Sequence, residues 1–266
     1  MIELIIVAIL CLCMGSFLNV VIIRTPLIQK KLEINYIEET YNVKVKESDK
    51  VDKISISFPN SKCNRCDRKL AKWMNIPLIS YIILLGRCYF CKKTISKQYP
   101  TVELLTSATG TITYYTYGPT ITFLSVFLLA MLFIVIAYID INNYVIYADH
   151  ESILLGSLIT VTALINSDKF IYIGITYLSL ALTIYIIEKI IIFIKKKETT
   201  IIGSGDFWLL AFGIGYTFND IELGIKYLQI ISISAVALYF ILQRKDGKIP
   251  LIPSLSLGFM YVLTTQ

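Results

Sequence analysis

The chain has 266 residues, of which 56% are hydrophobic and only 17% charged, and its formal net charge is +6. A soluble domain is about 25% charged and the mean hydropathy here is +0.67, which excludes a soluble globular protein, a secreted disulfide scaffold and a disordered tail. The apolar residues fall in runs near the ~20 residues that cross a bilayer as a helix, and the chain reads as an all-α polytopic membrane protein with about eight transmembrane helices.

Residues 2–23 form the first apolar run and the first transmembrane helix, domain 1–23. No basic stretch precedes it and Asn19 to Arg24 do not resemble a small-residue cleavage site, so it reads as retained rather than removed. Residues 24–100 form a polar cytosolic loop holding 16 of the 25 basic residues and 7 of the 19 acidic ones. A basic block can bind nucleic acid, but beside a membrane segment it reads as a topology signal and an attraction to anionic lipid headgroups. Membrane lipid is therefore the expected partner, with no nucleic acid. Within the loop, Val43, Val45, Ile54, Ile56 and Phe58 alternate with polar residues about Ser48 and Asp49, the pattern of a short hairpin.

From Pro100 onward the apolar runs predict helices over 101–117, 120–140, 147–166, 169–194, 206–219, 221–242 and 249–264, a seven-helix membrane domain spanning 101–266. If the first helix runs from outside to inside, 22 of the 25 basic residues fall on the cytosolic side. Only Lys169 and Lys226 lie outside, and Lys189 sits within a helix near its inner end. The orientation follows: N-terminus outside, in a plasma or inner membrane. No internal repeat of fixed period is apparent.

Two constellations carry chemistry. Cys63-x-x-Cys66 and Cys88-x-x-Cys91 lie 21 residues apart in the cytosolic loop. Each pair puts two thiolates on one turn, and two such turns complete a tetrahedral sulfur site that suits structural zinc, with an iron–sulfur cluster as the alternative metal. Cys11 and Cys13 read as small apolar residues of the first helix.

The second constellation is Asp140, which ends an apolar helix, and Asp206, which follows Gly203-Ser204-Gly205 and opens another. Both fall at the cytoplasmic end of their helices under the derived topology, and ionisable groups at membrane depth are usually functional. Two carboxylates brought together share a proton, so one serves as base and the other as acid, as in an aspartic protease. The competing reading makes Asp140 a helix-end residue and Asp206 an N-cap. Asp149, Asp168, Asp220, Glu151 and Glu222 read as caps or solvated charges. His150, the one histidine, reads as an interfacial polar residue and excludes a multi-histidine metal site.

These residues resemble the type IV prepilin leader peptidase/N-methyltransferase family. Gly15-Ser16-Phe17-Leu18-Asn19-Val20-Val21-Ile22-Ile23-Arg24 is similar to its N-terminal signature, and residues 61–107 to its zinc-knuckle segment. Tyr138-Ile139-Asp140 is similar to its first aspartate motif, and Gly203-Ser204-Gly205-Asp206 to its G-x-G-D element. Two departures stand out. Tyr147-Ala148-Asp149 lacks the proline that usually follows the first aspartate, and Trp208 replaces a lysine often found after the second.

The resemblance implies an intramembrane aspartic endopeptidase with catalytic Asp140 and Asp206. It would remove the short basic leader of type IV prepilins or pseudopilins at the cytoplasmic face, cutting after a glycine. It also implies N-methylation of the new terminus with S-adenosylmethionine, for which the residues offer no glycine-rich methyl-donor loop. An ion- or proton-coupled transporter is the alternative, but it places acids near helix centres, whereas both aspartates sit at one edge. A catalytically silent zinc-bearing adaptor is the third reading, tested by whether the two aspartates converge.

Overall fold

A computed structural model describes residues 2–41, 55–57, 61–63, 65–143, 145, 147–165, 167–195, 204–242 and 250–265. Among these residues the regular structure is helical, with two isolated β-bridges and no strand. The helices are α1 (Ile2–Tyr41), α2 (Ile79–Ile83), α3 (Gln98–Tyr117), α4 (Ile121–Asn143), α5 (Ala148–Ile165), α6 (Phe170–Lys195), α7 (Ser204–Tyr216), α8 (Ile221–Leu242) and α9 (Ile252–Thr264). The hairpin expected over 43–58 falls, apart from 55–57, outside the described residues.

The seven helices expected after Pro100 are all present, with ends shifted by a few residues. The first helix differs more. It continues past Arg24 to Tyr41, carrying Pro26 inside it. Proline there removes one i→i−4 hydrogen bond, but Leu27, Lys30, Lys31, Leu32 and Glu33 are strong helix formers that carry the helix on. Apolarity ends at Arg24; helicity does not.

Among the described residues, four helical segments are long and apolar enough to cross a membrane: Ile2–Tyr41, Ile121–Asn143, Ser167–Ile187 and Ile221–Leu242. The chain is therefore a helical membrane protein, with fewer full-length spans by this measure than the eight expected. At 1.5 Å per residue, the 13-residue α7 and α9 are about 20 Å long, short of the ~30 Å hydrocarbon core.

The chain divides into two compact units, residues 1–115 and 116–266. In the first, α1 and α3 run antiparallel, fixed by contacts whose numbers rise in one helix as they fall in the other. The Tyr114 hydroxyl donates to Glu3 (3.3 Å), the Ser107 hydroxyl to the Ala8 carbonyl (3.0 Å), and Asn19 Nδ2 to the Tyr99 carbonyl (3.1 Å). Gly15 makes this approach possible: a Cβ there would lie 2.8 Å from the Glu103 Cα, so any side chain would push the two backbones apart. The signature segment that begins at Gly15 is thus a helix-packing device. Its last residue, Arg24, donates to the main-chain carbonyls of Ser55 (3.0 Å) and Ile56 (2.9 Å).

In the second unit α4 is the central helix, packed against α5 and α9, while α6 packs on α7, and α8 and α7 on α9. Phe259 of α9 gathers an aromatic cluster, with ring centroids 6.0 Å from Phe133, 5.6 Å from Phe212 and 5.7 Å from Tyr216. Edge-to-face pairs of this kind add about 0.5–1.5 kcal/mol each beyond their buried area. Tyr227 is fully buried and reaches the Leu209 carbonyl (3.3 Å) across Gly213. This core fixes where the ends of α4, α7 and α9 lie.

Candidate active site and metal centre

Asp140 is the twentieth residue of the 23-residue α4, and Asp206 the third of α7, so both lie near helix ends and neither near a helix centre. They come from helices that share the α9 partner, and the Asp206 charge acts on Asp140 through space. Asp140 is buried among apolar neighbours and its Oδ2 accepts the main-chain N–H of Ile252 (3.3 Å), the first residue of α9. A helix leaves its first N–H groups unpaired and its N-terminus partially positive, so α9 supplies a natural seat for that carboxylate.

Asp206 is held differently. Its Oδ1 is buried with no hydrogen-bond partner among the described residues, and so is the hydroxyl of Ser254, two residues into α9 from Ile252. Buried oxygens without partners are rare and are expected where water or a substrate group completes the set. One carboxylate anchored by a helix start, with a second nearby carrying an open oxygen, is an arrangement able to move a proton to and from a substrate. The adaptor reading turns on whether the two acids converge; both helices pack on α9, and the Asp206 charge bears on Asp140.

The remaining acids read as expected where they are seen. Asp220 caps α8 through Leu223 N–H (2.9 Å), and Glu222 pairs with Lys226 one turn later (2.6 Å). His150 is half-buried in the first turn of α5 with its ring centroid 5.8 Å from that of Tyr147.

The four cysteines form a second, separate constellation. The Cys63 and Cys88 segments are two copies of one turn. In each, the first cysteine's N–H donates to the carbonyl five residues on: Cys63 to Arg68 (3.0 Å) and Cys88 to Lys93 (2.8 Å). In each, the residue four positions on donates back: Asp67 to Cys63 and Lys92 to Cys88, both 2.9 Å. Those two residues share a left-handed backbone, φ 54° and 57°. The outer pairs match as well, Leu70 to Ser61 (2.9 Å) and Ile95 to Gly86 (2.8 Å). The sequence shows only two short motifs; the backbone shows a local repeat.

All four sulfurs lie within 4.8 Å of one another, Cys63 and Cys91 at 3.9 Å, and none forms a disulfide. Tetrahedral zinc with Zn–S of about 2.3 Å spaces its sulfurs at roughly 3.8 Å, so the cluster fits that ion. The Cys91 and Phe90 main-chain N–H groups pull the Cys88 thiol down to about 7. At Cys66 a main-chain hydrogen bond at Arg68 is outweighed by burial and by the Cys63 and Cys91 sulfurs, which push that thiol up to about 11, so the fit to a metal rests on the sulfur geometry.

Two contacts here lay beyond reading from the residues alone. Glu103, buried in the second turn of α3, accepts the main-chain N–H of Leu78 (2.8 Å) and a hydrogen bond from Ser16. It ties the cysteine-bearing lobe to both helices of its unit. A single glutamate in an apolar run was the available signal, since such a residue is costly unless paired. The Ile252–Asp140 contact left no signal, because main-chain partners are not encoded by residue type.

Residues 9–117 match the model of the Bacterial Peptidase A24 N-terminal domain, a stretch that includes all four cysteines and Glu103 and ends before both aspartates. The Prepilin leader peptidase/N-methyltransferase of Legionella pneumophila is 28% identical over 260 residues, 95% of this chain and 88% of that protein. The protein of the same name from Pseudomonas putida is 30% identical over 216 residues, 76% of this chain and 69% of the relative. A third, from Pseudomonas aeruginosa, is 43% identical over 97 residues, 36% of this chain and 32% of its own length. No solved structure matches the chain.

Proposed function

The chain belongs to the prepilin leader peptidase/N-methyltransferase family, and from that premise we propose that it is an intramembrane aspartic endopeptidase that removes the basic leader of type IV prepilins or pseudopilins at the cytoplasmic face. The observation that carries this reading is the placement of Asp140 and Asp206 near the ends of α4 and α7, two helices that both pack on α9, with the Asp206 charge bearing on Asp140.

In the proposed reaction the ionised aspartate takes a proton from water, whose oxygen attacks the scissile carbonyl carbon. The protonated partner gives its proton to the carbonyl oxygen, producing a gem-diol. Collapse returns a proton to the second aspartate, breaks the C–N bond and passes the other proton to the leaving amine. The dyad ends as it began. Asp140, seated on the Ile252 N–H, is positioned by α9; Asp206 presents the open oxygen. The orientation inferred from charge, with the N-terminus outside, brings both to the side where a prepilin's leader waits.

The same family name supports a second activity, N-methylation of the new terminus. S-adenosylmethionine would supply the methyl group. Among the described residues there is no αβ nucleotide-binding element, and no residue is assigned to the methyl donor. Zinc on Cys63, Cys66, Cys88 and Cys91 would close the lobe and supply folding free energy rather than reactivity.

The test is cleavage by Asp140→Asn and Asp206→Asn in membranes. An asparagine at 140 keeps an oxygen that accepts the Ile252 N–H, so folding survives while acid–base function is lost, a fall of about 10²–10⁴. Wild-type cleavage by both variants would reduce Asp140 to a helix-end residue and overturn the assignment.

A further inference from the structure

The cysteine lobe carries an apolar face that its own structure leaves uncovered. Ile79, Ile82 and Ile83 share α2, and Ile82 is 67% exposed. Leu85, which follows, is 84% exposed and held at φ 51°. A leucine in left-handed backbone costs about 1–2 kcal/mol, an expense with no return if its side chain ends in water. Trp73 and Tyr89 border the same stretch, half-exposed and edge-to-face with centroids 5.8 Å apart, and Lys92 Nζ lies 5.2 Å from the Tyr89 ring.

Its placement says what covers it. Leu78, immediately before α2, is tied by its N–H to Glu103 of α3, and Glu103 is bonded in turn to Ser16 of α1. Ser16 lies eight residues before Arg24, about 12 Å along the helix toward the outer side, inside the apolar run that enters the bilayer. The chain just ahead of α2 is thus drawn to membrane depth. An exposed isoleucine and leucine edge at that level, flanked by tryptophan, tyrosine and a lysine able to extend to headgroups, has the make-up of a membrane interface.

We infer that the α2 edge of the cysteine lobe, from Trp73 to Leu85 with Tyr89, is inserted into the interfacial region of the phospholipid bilayer that α1 crosses. The lobe is then a peripheral membrane element rather than a domain suspended in the cytosol, and its basic residues lie against anionic headgroups.

The experiment uses the full chain with Trp208→Phe, which leaves Trp73 as the one indole, in phosphatidylcholine–phosphatidylglycerol bilayers whose acyl chains are brominated near the glycerol end or near the methyl end. Trp73 emission should be quenched, more by the shallow bromines than by the deep ones. The pair Ile82→Asp and Leu85→Asp changes exposed side chains only; it should keep the lobe's zinc and lose most of the quenching. Emission indifferent to bromine at both depths overturns the inference. So does quenching that appears only after a prepilin is added, or an unquenched Trp73 shielded from aqueous acrylamide, since either result puts a protein on this face.

Discussion

Replacing Glu103 with alanine should free the cysteine lobe from the membrane helices without unfolding the chain. The carboxylate is buried and receives two hydrogen bonds, one from the Leu78 N–H at 2.8 Å and one from the Ser16 hydroxyl. Bonds to a charged acceptor are worth about 1.5–3 kcal/mol each. Water can recover part of that at half-buried Leu78, and release of its φ 55° backbone returns up to a further ~1 kcal/mol. The net cost of keeping the lobe docked is then about 2–4 kcal/mol, and at 1.4 kcal/mol per tenfold the undocked population rises roughly 30- to 700-fold. Hydrogen exchange reads this directly, because the Leu78 amide exchanges only when its bond to Glu103 opens. Glu103→Gln keeps an acceptor in the same place and should speed exchange only severalfold. A Leu78 amide as slow in Glu103→Ala as in the wild type would show that the contact does not hold the lobe.

Cys63→Ser and Cys91→Ser should each lose one zinc per chain by elemental analysis and loosen residues 61–97. Methylation should fall further than cleavage, since the cysteines and the aspartates belong to different compact units. The double variant Asp140→Asn/Asp206→Asn should cleave no worse than either single variant, because both residues serve one step; multiplied losses would mean separate roles. In intact cells, a thiol reagent that cannot cross membranes should label Ser167→Cys and miss Lys72→Cys. The reverse would put the aspartates on the wrong face for a cytosolic leader.

The helices after Pro100 were legible because their apolar runs are long and are broken by short polar turns, which fixes number and order almost without tertiary information. The end of α1 was not. Arg24 looks like the last residue of a membrane helix by charge, yet it lies mid-helix, binding two carbonyls near residue 55. The cysteine cluster was legible from spacing, since two such turns have few other uses. Ile79, Ile82, Ile83 and Leu85 were hidden in a loop read as polar from its sixteen basic and seven acidic residues, which mask a short local apolar run. Glu103 was legible only as an oddity, since its meaning depends on Leu78, 25 residues earlier, and that partner is a backbone group.

The same limit bears on the aspartates, where sequence left two readings and the structure changes the terms between them. The competing reading made Asp140 a helix-end residue and gave the cap to Asp206, yet it is Asp140 that accepts a helix-start N–H, and the helix is α9, 112 residues away. A local cap satisfies the chain nearby and needs no burial. Here a carboxylate three residues from the C-terminal end of α4 is brought to the start of a 13-residue helix, while the second acid keeps an oxygen with no partner among the described residues. Stability alone would be served as well by asparagine at both positions, which accepts and donates without two nearby negative charges. What asparagine cannot do is pass a proton, and that is the distinction the Asp→Asn variants measure.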